Sequence, residues 1–244
     1  MNISSIRNVN NTPFRKEKKT FFSKTLKSAQ RIGPHQKQHI DALIGNLLGD
    51  GYVERRGPST RIVLKQSAGK INYLRWLYEM MKKGGICSTN LPPVKSAVGP
   101  RGRIYYSCKF ATYSFASFNW IHQAFYANCN DAGCLKRVPP EIEIILSARG
   151  LAHWIMDTGS PYKYGAARGG LRISTESFSW NDVELLKNTL YKQFSLECGV
   201  HRHKIKSSVE KPILYIKKQS VAQLHQLVGH YFHESMLYKL PPSS

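Results

Sequence analysis

Two carboxylates stand where an α-helix is least hospitable to them. The run Leu43-Ile44-Gly45-Asn46-Leu47-Leu48-Gly49-Asp50-Gly51 is an apolar helical stretch that puts Asp50 in its last turn and stops at a glycine. A second run, Leu151-Ala152-His153-Trp154-Ile155-Met156-Asp157-Thr158-Gly159, repeats the pattern, with Thr158 where the first copy has Asp50. The negative end of the helix dipole disfavours an anion in that turn, so an acid kept there in both copies points to a cation as its partner. A hard divalent ion suits such a carboxylate. Thr158 offers only a neutral hydroxyl, a poor ligand for that ion. Asp157 cannot simply take its place, because one step along a helix rotates a side chain by ~100°. Trp154 and Met156 fit as core residues.

The bulk properties call for an anionic partner. The 244 residues carry 36 Lys+Arg against 15 Asp+Glu, a formal charge of +21 at pH 7. Solubility alone asks for a net charge of ~2–8 in a small domain; this excess suits a polyanion. No apolar run approaches the ~20 residues of a membrane span, and the basic residues are dispersed along the chain. Nucleic acid is therefore the expected partner, and no membrane is. The five cysteines form no CxxC pair, and Cys129 and Cys134 are too isolated in sequence for a structural zinc site; all five are expected to be reduced and mostly buried. His201 and His203 flank Arg202 in an expected strand and share a face; a solvated or phosphate-facing role is preferred there to metal binding.

The elements that position these groups are read from periodicity. Residues 1–32 form a basic, hydroxyl-rich, acid-poor tail, which suits an organellar transit peptide and a nucleic-acid-binding arm equally. After the first motif helix, residues 52–55 and 61–66 read as a hairpin around Gly57-Pro58-Ser59. Residues 73–82 read as an amphipathic helix with Leu74, Leu77, Tyr78 and Met81 on one face. A second hairpin (92–95 and 104–112) and a helix over 115–126 complete the unit. The order then recurs: motif helix, a loop rich in Gly and Tyr over 159–170, a strand at 171–174, a helix over 181–194 capped by Ser177 or Ser179, strands at 199–206 and 213–217, and a helix over 221–231. Each half is αββαββα, an internal duplication. Alternation along residues 61–66 and 105–109 leaves one face to pack and another that shows Arg, Lys, Gln, Tyr or Ser. Such side chains on a twisted sheet can reach base edges and phosphates. The candidate contacts are Arg55, Arg56, Arg61, Lys65, Gln66, Arg103, Tyr105 and Lys109 in the first half, and Arg168, Arg172, Arg202, Lys204 and Lys217 in the second.

The repeated motif and duplicated order resemble the LAGLIDADG homing endonucleases, most closely the single-chain, two-repeat members of organellar group I introns. Ile32-Gly33-Pro34-His35, Trp76-Leu77-Tyr78, Ser117-Phe118-Asn119-Trp120-Ile121, Ser174-Thr175-Glu176-Ser177-Phe178 and Met236-Leu237-Tyr238-Lys239-Leu240 carry the resemblance further. It implies an α+β fold of two pseudo-twofold halves, residues 33–135 and 136–241, with a short tail at 242–244. Each half would contribute a four-stranded antiparallel sheet to a nucleic-acid-binding saddle, with the motif helices packed at the centre, where Gly45 and Gly49 permit close approach. It implies a monomer with internal symmetry, Mg²⁺ as cofactor with Asp50 as its ligand, and Lys136 and Lys239 near the two catalytic centres. Thr158 departs from the family's pattern, so cleavage is expected to be lost or severely weakened while the saddle survives. The expected role is then on structured RNA, as a group I intron maturase or a protein bound to ribosomal RNA. The alternative is an active Mg²⁺-dependent endonuclease on a long double-stranded DNA site. The mitochondrion is the expected compartment, the chloroplast the alternative.

Overall fold

The duplicated sequence pattern becomes two sheets with the same strand order. The structure, a computed structural model, describes residues 26–130, 133–163, 165, 168–204 and 209–242, without the side chains of residues 127, 128 and 130. Most of the basic tail expected over residues 1–32 thus lies outside the described residues. In chain order the elements are α1 (Lys37–Leu48), β1 (Tyr52–Arg56), β2 (Ser59–Ser67), α2 (Ile71–Lys83), β3 (Val94–Val98), β4 (Ile104–Ala111), α3 (Asn119–Phe125), β5 (Tyr126–Asn130) and β6 (Gly133–Lys136). They continue with α4 (Ile142–Ile145), α5 (Ala148–Thr158), β7 (Gly159–Pro161), β8 (Leu171–Ile173), α6 (Trp180–Phe194), β9 (Cys198–Lys204), β10 (Glu210–Ile216) and α7 (Val221–Val228). The first sheet runs β1-β2-β4-β3 and the second β7-β8-β10-β9, all neighbours antiparallel. Among the described residues, no helix is long and apolar enough to cross a membrane.

Local chemistry sets the boundaries. Helix α1 ends because Gly49 and Gly51 both return their N–H groups to the Asn46 carbonyl, closing the last turn before β1. Gly57, at φ +58, supplies the left-handed turn between β1 and β2. Helix α6 begins at a capping box in which the Ser179 hydroxyl accepts from the Asp182 N–H and the Asp182 carboxylate accepts from the Ser179 N–H. Helix α2 buries Tyr73, Leu74, Leu77, Tyr78 and Met81, the face its periodicity predicts plus Tyr73. These side chains join Ile62, Leu64 and Phe110 of the first sheet in one core, which continues through α1 and α5 to Leu171, Ile173, Leu214 and Ile216 of the second. Each sheet therefore has one face against helices and one turned away from them.

Three expectations need correction. The helix expected over 115–126 is a short 3-10 turn followed by α3, which stops at Phe125. The chain then enters the β5–β6 hairpin, two strands outside the αββαββα order expected of the first half. Cys129 and Cys134 are bonded across that hairpin, their Cα atoms 4.1 Å apart, and both are exposed, so these two cysteines are neither reduced nor buried. Antiparallel pairing is what brings together two thiols that look isolated in sequence. Cys87 and Cys108 are buried free thiols and Cys198 is partly buried; burial pushes the Cys87 and Cys198 thiols up to about 12.

Candidate catalytic centre and nucleic-acid interface

Helices α1 and α5 meet along a line of small residues. A Cβ on Gly45 would collide with the Gly150 carbonyl, and one on Gly49 with the Asp157 carboxylate. Glycine is thus required for the approach that the motif spacing suggested. Beside this contact lies a buried aromatic layer. The His153 ring stacks on Trp76 at 5.4 Å and 15°, and its Nδ1 lies 3.4 Å from the Tyr73 hydroxyl. Burial first, and the Arg149 charge second, lower the His153 pKa to about 3, so this imidazole is neutral. Its Nε2 has no hydrogen-bond partner among the described residues.

The helix C-termini bring the two motif acids together without making them equivalent. Asp50 is exposed at the end of α1. Asp157 is buried, and its carboxylate crosses to the other helix end: Oδ2 accepts from the Asp50 N–H at 2.6 Å, and Oδ1 accepts from Gln66 Nε2. Burial first, then the Asp50 charge, raise the Asp157 pKa to about 6. The Thr158 hydroxyl turns back along its own helix and donates to the Trp154 carbonyl at 3.3 Å. The second half therefore presents no exposed carboxylate at its motif end.

Ammonium groups meet the negative dipole ends. Lys136 donates to the carbonyls of Gly49 at 2.7 Å and Gly51 at 2.9 Å. Lys239 donates to the Asp157 carbonyl at 2.7 Å, and Lys70 reaches the same oxygen at 3.1 Å. Lys136 and Lys239 both have their pKa lowered to about 8; burial is the main cause for each, partly offset by the acids. Cations at helix C-termini are stabilising, so the awkward position of the acids is relieved by this chain's own lysines. The donor set fits one hard cation, at Asp50; Asp157 is committed to hydrogen bonds and Thr158 is neutral. The sequence placed Asp157 in the second motif turn and offered Gln66 as a nucleic-acid contact, but it did not show that the two pair with each other or that Lys70 joins them. The packing of α5 against the end of α1, the end of β2 and the turn after it brings them together.

The sheet faces sort the remaining candidates. Lys65 and Lys109 are directly opposed in the β2–β4 register on the face turned from the helices, and both are exposed. Tyr105 lies on that face by alternation, with Arg103 just beyond the end of β4. Arg56 and Arg61 share it and both pair with Glu54. In the second sheet Arg172 lies on the outward face, opposite Tyr215, and pairs with Glu176. Tyr162, Arg172, His201, His203, Tyr215 and, from the edge strand, Arg202 line a shallow cup there. Other candidates are held by different partners. Gln66 faces inward to Asp157, and Arg55 lies on the helix-side parity of β1, opposite Thr60. Arg202 stacks on Trp180 of α6 and pairs with Glu210, Lys204 follows the same parity, and Lys217 pairs with Glu197 beside α6. Arg168 is exposed near Lys218. Period-two reading places alternate residues on opposite faces, but it cannot say which face of an amphipathic strand meets a helix.

The fold and its duplicated centre define a class. Residues 40–224 match the LAGLIDADG DNA endonuclease family, and the chain belongs to it. Relatives include the cytochrome b mRNA maturase bI2 of Saccharomyces cerevisiae, 34% identical over 212 residues, or 86% of this chain and 48% of that protein. The protein of the same name from Debaryomyces hansenii is 30% identical over 85% of this chain and 75% of its own length. Intron-encoded endonuclease ai4 of Dictyostelium discoideum is 35% identical over 67% of this chain and 98% of its own. The chain thus spans about half the length of the first relative. Among solved structures, the homing endonuclease I-WcaI bound to its DNA recognition sequence has the same fold, at a TM-score of 0.75 and 23% identity over 90% of this chain and 94% of that one.

Proposed function

We propose that this chain is a nucleic-acid-binding LAGLIDADG protein whose double-strand cleavage is lost or severely weakened, and that it works on structured RNA as a maturase of its own group I intron in the mitochondrion. One observation carries the reading. At the Thr158 half-site the hydroxyl is tied to Trp154 and the neighbouring carboxylate is tied to the opposite helix, which leaves no anionic ligand there. Two relatives named as mRNA maturases support it. The exposed, directly opposed Lys65 and Lys109 support an anionic ligand on the outward sheet face, since like charges in that register repel. The halves at residues 33–135 and 136–241 act as one pseudo-twofold monomer.

A DNA endonuclease is the second reading, favoured by the exposed Asp50 beside Lys136 and by the relative named as an endonuclease. Asp50 would hold Mg²⁺, which supplies an activated water and steadies the leaving oxygen when bound. A cleavage assay on the exon-junction duplex of the encoding intron, with Mg²⁺, separates the readings. The natural chain should fail to cut both strands, and Thr158→Asp should regain cutting. Efficient double-strand cleavage by the natural chain would overturn the degenerate reading. In a parallel splicing assay, the natural chain and Thr158→Asp should accelerate intron folding alike; no acceleration by either removes the maturase role.

A further inference from the structure

The β5–β6 hairpin holds a soft-donor cluster separate from the motif acids. A ring nitrogen of His122 and the sulfurs of Cys129 and Cys134 all lie within 4.8 Å of one another. His122 comes from α3 and the two sulfurs from opposite strands, so three elements converge on one point. Both cysteines are exposed and His122 is partly exposed, which leaves the point accessible to solvent ions. A neutral imidazole is the form that binds metal.

We propose that, with both sulfurs reduced, His122, Cys129 and Cys134 form a Zn²⁺ site whose fourth position is open to water. Two thiolates and an imidazole match the borderline-soft character of zinc and exclude Mg²⁺, which prefers oxygen. The bonded and metal-bound states are mutually exclusive. A dithiol reductant opens the Cys129–Cys134 bond, supplying two electrons and two protons and leaving as its own cyclic disulfide. Zn²⁺ then displaces the two thiol protons to give a neutral bis-thiolate centre with His122 as the third ligand.

The two states constrain different things. The disulfide ties the hairpin to itself. The metal also ties it to α3 through His122. That matters because Lys136 closes the hairpin, directly opposite Tyr126, and reaches the Gly49 and Gly51 carbonyls. The Tyr126 ring stacks on His122 at 5.3 Å and its hydroxyl accepts the Val53 N–H at 3.2 Å. Zinc at this point would hold the strand that delivers Lys136 to the motif end, as a positioning device and not as part of the chemistry.

The test uses the full chain, reduced with a dithiol, freed of it without oxygen, and titrated with Co²⁺ in excess Mg²⁺. Thiolate-to-cobalt charge-transfer absorption should saturate at a single equivalent and be displaced by Zn²⁺. Cys129→Ser and Cys134→Ser should abolish that absorption, and His122→Ala should weaken binding by about tenfold or more. These side chains are at least partly exposed, and circular dichroism should show each variant folded. Absence of the band from the reduced natural chain overturns the site, as does its persistence in both serine variants. Zn²⁺ should also slow amide exchange in residues 133–136 of the reduced chain; unchanged exchange overturns the positioning role.

Discussion

At the scale of the residue, substitutions at the helix crossing carry sharp expectations. Gly45→Ala forces a methyl into the Gly150 carbonyl. Overpacking of this kind costs about 1–3 kcal/mol, so the urea midpoint should fall at unchanged slope. His153 gives a pH signature. Its folded pKa of about 3 lies below the ordinary histidine value of 6.5, so the folded state binds fewer protons than the unfolded chain across that interval. Stability contributed by the neutral ring is present above pH 6.5 and is lost as the pH falls toward 3, at up to ~1.4 kcal/mol per pH unit. His153→Phe keeps the stack on Trp76 and cannot protonate; thermal unfolding between pH 6.5 and 4 should show a shallower acid loss than the natural chain. An equal slope in both would remove His153 from the account.

At the scale of the element, strand register decides what each basic residue can do. Lys65 and Lys109 oppose each other across β2 and β4, so the bare sheet stores repulsion that a phosphate backbone would relieve. The double change Lys65→Gln with Lys109→Gln should raise or preserve thermal stability while lowering nucleic-acid affinity. On duplex DNA the slope of log affinity against log salt should shrink by about two if each lysine neutralises one phosphate, at ~0.9 per contact. A matching change at Arg202 and Lys204, which lie on the helix-side parity, should alter that slope less. The alternating pattern of the strands was legible in the sequence. The orientation of each strand against a helix was not, because it depends on which face the distant α1, α2 and α6 cover.

At the scale of the whole molecule, the charge of +21 requires steep salt dependence. Affinity for duplex or intron RNA, measured by equilibrium titration from low to physiological salt, should fall by several orders of magnitude if 6–10 phosphates are contacted, as ~10³–10⁵ is typical. A flat response would remove the binding surface altogether.

Family, duplication and the broken second motif were determined by sequence alone, because the helical period, the glycine stops and the Asp50-to-Thr158 difference are local and repeat within one chain. The tertiary structure decided the composition of the centre. Asp157 as a cross-axis acceptor, Gln66 and Lys70 as its neighbours, and the Cys129–Cys134 pairing all arise between residues distant along the chain or across a hairpin. Contacts of that kind are set by packing and register, for which no local pattern of residues carries a signature.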